Sequence, residues 1–256
     1  MSWSASQYSK FEAERNRPII DLRAQVKMVG VRTAADIGCG PGNSTELLQS
    51  RFPEAVVTGM DSSANMIEAA RKRLPGVRFE LDDISIWSDP GPFDVILANA
   101  ALQWVPNHDS LLPALLSKLT NGGSLAVQTP DNLAEPAHLL MREVAADGPW
   151  SEKLAGVSSG LPARHSPEWY HSALSKVAST VDVWRTTYYH SLSGGPSAVV
   201  EWFKGTGLRP FIDPLEESEK EEFLAKYEDA ISVAYPSCPG GSVLLPFPRL
   251  FFVATR

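Results

Sequence analysis

The stretch Ala34-Ala35-Asp36-Ile37-Gly38-Cys39-Gly40-Pro41-Gly42-Asn43 leaves this chain few folds to choose from. Its first half reads as a buried strand carrying one acid. Its second half is a turn with glycine at alternate positions, running into the helical pattern Ser44-Thr45-Glu46-Leu47-Leu48. Glycines there allow the tight turn and let a ligand approach the main chain without a Cβ in the way. The free N–H groups of the following helix's first turn then face that ligand. The unit is a nucleotide-type site at the end of a first strand.

The segments around it repeat the same rhythm. Ala55–Asp61 is a β-branched run ending in an acid, and Ser63–Arg73 is a helix stopped by Leu74-Pro75-Gly76. Val77–Leu81 is a third strand ending at Asp82-Asp83. Phe93–Ala98 is a fourth, and Ser124–Gln128 a fifth, after a helix over His108–Leu119 that Gly122-Gly123 caps. Strands that are apolar throughout and alternate with helices imply a parallel sheet covered on both faces. Ahead of this core, Pro18 suits the first turn of a helix over 18–29. Tyr8, Phe11 and Arg17 are placed to reach back as a cover, or else lie on a plain surface helix. Behind the core come helices at Glu135–Ala146 and Pro167–Ala178, a loop-like 148–166, and a long strand at Val181–His190. Two helical patterns follow, Pro196–Lys204 and Glu216–Ala234, and a last strand at Phe247–Thr255. The chain divides as a single domain: lead-in 1–29, core 30–130, second half of the sheet 131–192, helical cap 193–245, last strand 246–256.

The spacing says which nucleotide. A dinucleotide fold wants Gly-x-Gly-x-x-Gly. Here it is Gly38-x-Gly40-x-Gly42 behind Asp36, and an acid at that strand end repels a pyrophosphate. Asp61 ends the second strand where a carboxylate meets ribose hydroxyls. One of Asp82 and Asp83, in a register uncertain by one, accepts from an adenine amino group. No phosphate-binding lysine accompanies them. The set fits a cationic adenosine, S-adenosylmethionine; an NAD-dependent oxidoreductase is the alternative.

These residues, Asp36-Ile-Gly-Cys-Gly-Pro-Gly42, Asp61, Asp82-Asp83 and Asn99-Ala-Ala-Leu-Gln-Trp104, resemble the class I S-adenosylmethionine-dependent methyltransferases over residues 30–130. The likeness continues nearly end to end through Tyr8-Ser-Lys-Phe11, Arg15-Asn-Arg-Pro18, Gln128-Thr-Pro-Asp-Asn132, Trp184–His190, Gly207-Leu-Arg-Pro210 and Phe247–Phe251, toward members acting on small polycarboxylic acids. It implies a Rossmann-like α/β fold: a seven-stranded, mostly parallel sheet with an antiparallel last strand, helices on both faces, and a helical cap inserted before that strand. It implies methyl transfer to a carboxylate, with S-adenosylhomocysteine as product. The expected donor contacts are Asp36, Gly38, Cys39, Gly40, Asn43, Asp61, Ser62, Met66, Asp82, Asp83, Ile84, Asn99 and Tyr8. Asp36 is expected on the ammonium, directly or through water, and Asn43 is alternatively a helix N-cap. For the acceptor, Arg209, Arg249, Trp104, Gln103, Tyr189 and Arg17 are expected, with Arg185 and His190 as further cations. Tyr188 and Tyr189 alternate faces on a strand, so one at most faces a pocket. No general base is expected, because a carboxyl with pKa near ~4 is already ionised.

Composition excludes several classes. The net charge is −7 with no long basic block, so no nucleic-acid partner is expected. No apolar run approaches the ~20 residues of a membrane span. Met1-Ser2-Trp3-Ser4 lacks the basic start and apolar core of a secretory signal. The two cysteines, Cys39 and Cys238, match no metal spacing, and Cys39 reads as a small filler in the turn. His108, His165 and His171 show no ligand spacing. A monomeric, cytoplasmic protein follows as the expectation.

Overall fold

Five of the expected runs become parallel strands that satisfy their backbone groups by pairing with one another; residues 34–37 and 93–99 are buried on both faces, as the strands of a covered parallel sheet are, while the edge run 78–81 leaves Arg78 and Leu81 exposed. The computed structural model describes residues 12–157 and 165–256. β1 (Thr33–Ile37), β2 (Val56–Asp61), β3 (Arg78–Leu81), β4 (Phe93–Asn99) and β5 (Leu119–Pro130) alternate with α2 (Asn43–Arg51), α3 (Ala64–Arg73) and α4 (His108–Ser117). α1 (Glu12–Ala24) precedes them. β1 pairs in parallel with β2 and with β4, β2 with β3, and β4 with β5. The sheet order is β3-β2-β1-β4-β5-β7-β6, with β6 at Thr180–Ser193 and β7 at Ser242–Thr255. β7 is antiparallel: Gly122 N–H donates to Arg256 O at one end, and Asp131 N–H to Pro248 O at the other. The chain reverses its progress across the sheet between β1 and β4. That switch point is where a doubly wound sheet opens a crevice at its strand ends.

The chain forms two compact units. The first comprises 1–130, 162–186 and 250–256; the second comprises 131–161 and 187–249. The helical cap is therefore larger than 193–245, because 131–161 belongs with it. Between β6 and β7 lie α8 (Pro196–Lys204), α9 (Arg209–Ile212) and α10 (Glu217–Ala234), and α5 (Pro136–Ala146) and α6 (Ser151–Leu154) come from the earlier stretch. Tyr227 donates its hydroxyl to Ala137 O, and Tyr235 Oη accepts from Ala137 N–H, so the C-terminal half of α10 and its cap grip the start of α5 through one residue. Trp150 packs edge-on to Phe223 at 5.3 Å.

Several boundaries differ from expectation; the last strand, for one, starts at Ser242 and not at Phe247, and a short helix, Ser151–Leu154, lies within the expected loop 148–166. Pro18 lies inside α1, not at its start. Proline forfeits one helical hydrogen bond there, while Arg15, Pro18, Ile19 and Leu22 bury one face, and tertiary packing outweighs local propensity. Gly122-Gly123 belong to β5 and not to a helix cap, since both pair with Arg256. α7 (Pro167–Leu174) ends short of Ala178. α1 is fastened to the turn region by the Glu12–Arg73–Glu46 ion pairs and by Arg23 donating to Leu47 O. The expected cover residues Tyr8 and Phe11 lie outside the described residues.

Candidate active site

The turn between β1 and α2 is built by its glycines and tied down by one acid. Gly38, Gly40 and Gly42 have φ of +78°, +54° and +90°, a region that costs other L-residues about 1–2 kcal/mol each. Gly38 N–H and Cys39 N–H both donate to Met60 O at 2.8 Å. Gly40 N–H donates to Asp61 Oδ2 at 2.9 Å, and Ser63 N–H to Asp61 Oδ1 at 2.8 Å. Asp61 thus joins the glycine turn to the start of α3. Burial raises its carboxyl above the usual range, against the pull of the Ser63 and Gly40 N–H groups.

The turn forms one wall of a cleft of about 200 Å³ in the first unit. Gly38, Gly40, Asp61, Ser62, Met66, Asp83, Ile84 and Asn99, expected at the donor, line it together with Trp104, expected at the acceptor. Ala100, Ala101 and Val105 line it too and were not anticipated. Their only sequence signal is their place directly after β4, at the switch point. Of the Asp82-Asp83 pair, Asp83 lines the cleft, and Asp82 Oδ1 accepts from Asp83 N–H. Asp83 Oδ1 accepts from Ser85 N–H and Oγ, which holds its carboxyl below the usual range and ionised.

Other expected contacts sit elsewhere. Cys39 is buried against Ile67, Ala70 and Phe79 behind the turn, burial pushes its thiol far up, and it is not among the residues lining the cleft. Asn43 is neither N-cap nor cleft wall: Gly42 is the cap, and Asn43 Nδ2 donates to Asn16 Oδ1 at 2.7 Å, tying α2 to α1. Gln103 is buried, with Nε2 donating to Ala100 O at 2.6 Å. Arg17 is exposed on α1. In the second unit the tyrosine pair alternates as expected, but Tyr188 is the buried member and Tyr189 is 63% exposed, because the odd positions of β6 face outward there. Arg249 is buried with its guanidinium over the Phe247 ring, and Arg209 lies 3.4 Å from Asp213.

Asp36 acts from behind the turn. It is fully buried, and Oδ2 accepts hydroxyl hydrogens from Ser44 and Thr45, each at 2.7 Å. Oδ1 has no partner among the described residues. Burial pushes the carboxyl up to about 6, against the Thr45 and Ser44 hydrogen bonds, and Asp61 adds repulsion. The folded value exceeds the unfolded value of 3.8, so stability is full below about pH 4 and falls as pH rises through about 6, by on the order of 3 kcal/mol. Asp36→Asn keeps an acceptor for both hydroxyls and does not titrate. The variant and the parent should melt alike near pH 4, with the variant the more stable above pH 6; a gap constant from pH 4 to 8 would refute the linkage.

Among the described residues the cleft lining carries two carboxylates and no cation. That set suits a positively charged adenosine and would leave a pyrophosphate unneutralised. Fold and cleft together define a class I S-adenosylmethionine-dependent methyltransferase. Residues 34–123 match the methyltransferase domain family. The YcgJ protein of Bacillus subtilis superposes over 94% of this chain and 98% of its own, with a TM-score of 0.61 at 14% identity. The plantazolicin methyltransferase BpumL, solved with S-adenosylhomocysteine, superposes over 98% of this chain and 88% of its own (TM-score 0.55, 17% identity). Both share the fold.

Sequence likeness narrows the class. Over 254 residues the chain is 52% identical to the trans-aconitate 2-methyltransferase of Methylobacterium nodulans, spanning 99% of this chain and 98% of that protein. It is 50% identical over 256 residues to the enzyme of the same name from Rhizobium meliloti, spanning 100% and 99%. The chain belongs to the trans-aconitate 2-methyltransferase family. Among the described residues no helix is long and apolar enough to cross a membrane.

Proposed function

We propose that this chain transfers a methyl group from S-adenosylmethionine to one carboxylate of trans-aconitate, giving the monomethyl ester and S-adenosylhomocysteine. The observation that carries the reading is a cleft lined by two carboxylates and, among the described residues, by no cation, in a chain half identical, end to end, to enzymes named for that reaction. When bound, the donor supplies an electrophilic methyl on a positive sulfur.

The chain's own residues bind and orient. Asp61 has used one lone pair of each oxygen on Gly40 and Ser63, and a carboxylate has about four such sites, so two remain for ribose hydroxyls. Asp83 Oδ2 is assigned to the adenine amino group, and Met66 and Ile84 to the faces of the base. Gly38, Gly40 and Asn99 are assigned to the methionine tail, with Asp36 supplying a negative charge behind it. The acceptor is ionised at neutral pH, so no side chain need take its proton. Catalysis is then positioning plus exclusion of water, which favours a step that consumes opposite charges. A cation held on the attacking carboxylate would blunt it, so the arginine forks of Arg209 and Arg249 are assigned to the other carboxylates. A monomeric protein working in the reducing cytoplasm completes the proposal, supported by two free cysteines, one of them buried.

Mass spectrometry of trans-aconitate incubated with the protein and donor tests the reading. A gain of one methylene unit is expected; none on trans-aconitate, with a gain on another acid, would redirect the acceptor assignment. Arg209→Ala should raise KM for the acid at least about tenfold, the scale of one lost charged hydrogen bond, and leave KM for the donor within about twofold. Equal effects on both would remove Arg209 from the acceptor's contacts.

A further inference from the structure

The segment that follows β4 carries Asn99, Ala100, Ala101, Trp104 and Val105 into the donor cleft, and its backbone is strained at both ends. Ala100 (φ +53°) and Asn107 (φ +60°) are the two non-glycine residues with positive φ among the described residues. Such conformations persist only where surroundings enforce them. One end is enforced by Ala100 N–H donating to Gln128 O and by Gln103 Nε2 donating to Ala100 O. The middle is a single 3₁₀ turn, Leu102–Trp104.

His108 holds that middle. It opens α4 and is 5% exposed. Nε2 lies 2.9 Å from Leu102 O, and Nδ1 lies 2.9 Å from the Tyr170 hydroxyl. A carbonyl only accepts, so Nε2 carries the proton; Nδ1 then presents its lone pair and Tyr170 Oη–H donates to it. Burial holds the imidazole's pKa below its usual value, which keeps this neutral form in place. Tyr170 is itself buried on α7 (Pro167–Leu174), with its ring 5.0 Å from Phe252 of β7. A continuous brace therefore runs from the sheet, through Tyr170 and His108, to the carbonyl two residues before Trp104. Both ring nitrogens are engaged within the brace, so His108 is not a base for the reaction.

We infer that His108 is a positioning residue: its Nε2–H on Leu102 fixes the turn that sets Trp104 at the donor cleft, and Tyr170 fixes its tautomer. The inference rests on the reading of that cleft as the donor site. The test compares His108→Phe, His108→Gln, Tyr170→Phe and the core lesion Leu116→Ala, which removes buried side chain from the same helix. S-adenosylhomocysteine affinity is measured by calorimetry. The position of Trp104 is read from the ¹⁹F spectrum of 5-fluorotryptophan-labelled protein, its resonance identified by Trp104→Phe. His108→Phe should weaken S-adenosylhomocysteine about tenfold and shift or broaden the Trp104 signal. His108→Gln, which retains an N–H within reach of Leu102, should recover most of both. Leu116→Ala should lower the melting temperature and leave the Trp104 signal in place. A Trp104 signal unmoved by His108→Phe, or moved equally by Leu116→Ala, overturns the assignment. Should His108→Phe fail to fold, Tyr170→Phe removes only the hydroxyl donation and is read the same way. If the parent protein binds no S-adenosylhomocysteine, the donor reading falls, and the Trp104 spectrum still decides the brace.

Discussion

Asp61→Ala should raise the dissociation constant for S-adenosylhomocysteine by roughly ten- to a hundredfold. Removing hydrogen bonds to a charged group costs about 1–3 kcal/mol, and about 1.4 kcal/mol is one decade in affinity. The upper part of that range is expected, because Asp61 does two things at once. It offers its remaining lone pairs to the cleft, and it accepts the Gly40 and Ser63 N–H groups. Alanine strands both donors, so the glycine turn loses its tie to the start of α3 even before a ligand arrives. Asp61→Asn should recover little. An amide has one accepting oxygen, and its NH₂ would face one of the two N–H groups as donor against donor. Calorimetric titration of the folded variants checks this, and unchanged affinity in Asp61→Ala would refute the ribose assignment.

Gly38→Ala should cost clearly more stability than Gly40→Ala, and Gly40→Ala should separate stability from binding. Both glycines have positive φ, so alanine pays a similar backbone strain of about 1–2 kcal/mol at either. They differ in surroundings. A Cβ at Gly38 would overlap the Ala101 methyl, whereas a Cβ at Gly40 meets no atom within 4 Å. Overpacking of that kind adds about 1–3 kcal/mol. At roughly 2–4 °C per kcal/mol for a domain of this size, Gly38→Ala should lower Tm by about 5–15 °C and Gly40→Ala by about 2–8 °C. Ala101→Gly in the Gly38→Ala background should restore the overpacking part and leave the strain. Gly40 lines the cleft, so Gly40→Ala should still lose donor affinity. Equal melting temperatures for the two single variants would mean that the Gly38–Ala101 approach is looser than described.

Much of the cleft lining is legible in the sequence because its signals are local. Each acid ends an apolar strand, and the glycine turn follows one within a few residues, so strand order alone brings Gly38, Asp61 and Asp83 together. What could not be read depends on long-range partners. His108 reads as ordinary until Tyr170, far along the chain, supplies the hydroxyl that fixes its tautomer. Gly122-Gly123 look like a helix stop until Arg256 pairs with them. Asn43 resembles a cap until Asn16 claims its amide. Ala100 and Ala101 carry no side-chain chemistry to announce them; they matter through backbone conformation and closeness to Gly38. Pro18 shows the opposite error, a strong local signal overruled by the buried face of α1.

The sheet order β5-β7-β6 has a consequence for how the chain is made. β5 is synthesised long before β7, yet β7 is the neighbour that satisfies its outer edge, and β6 has no place in the sheet until β7 separates it from β5. A ribosome-bound chain that has passed residue 193 therefore holds a parallel half-sheet with a naked rim, the kind of edge that recruits other chains. Closure waits on the emergence of residues 242–255. Chaperone occupancy on the nascent chain should accordingly rise once β5 has emerged and stay raised while residues 242–255 are still inside the exit tunnel; occupancy that falls in that interval, which ribosome-associated profiling can resolve, would refute this.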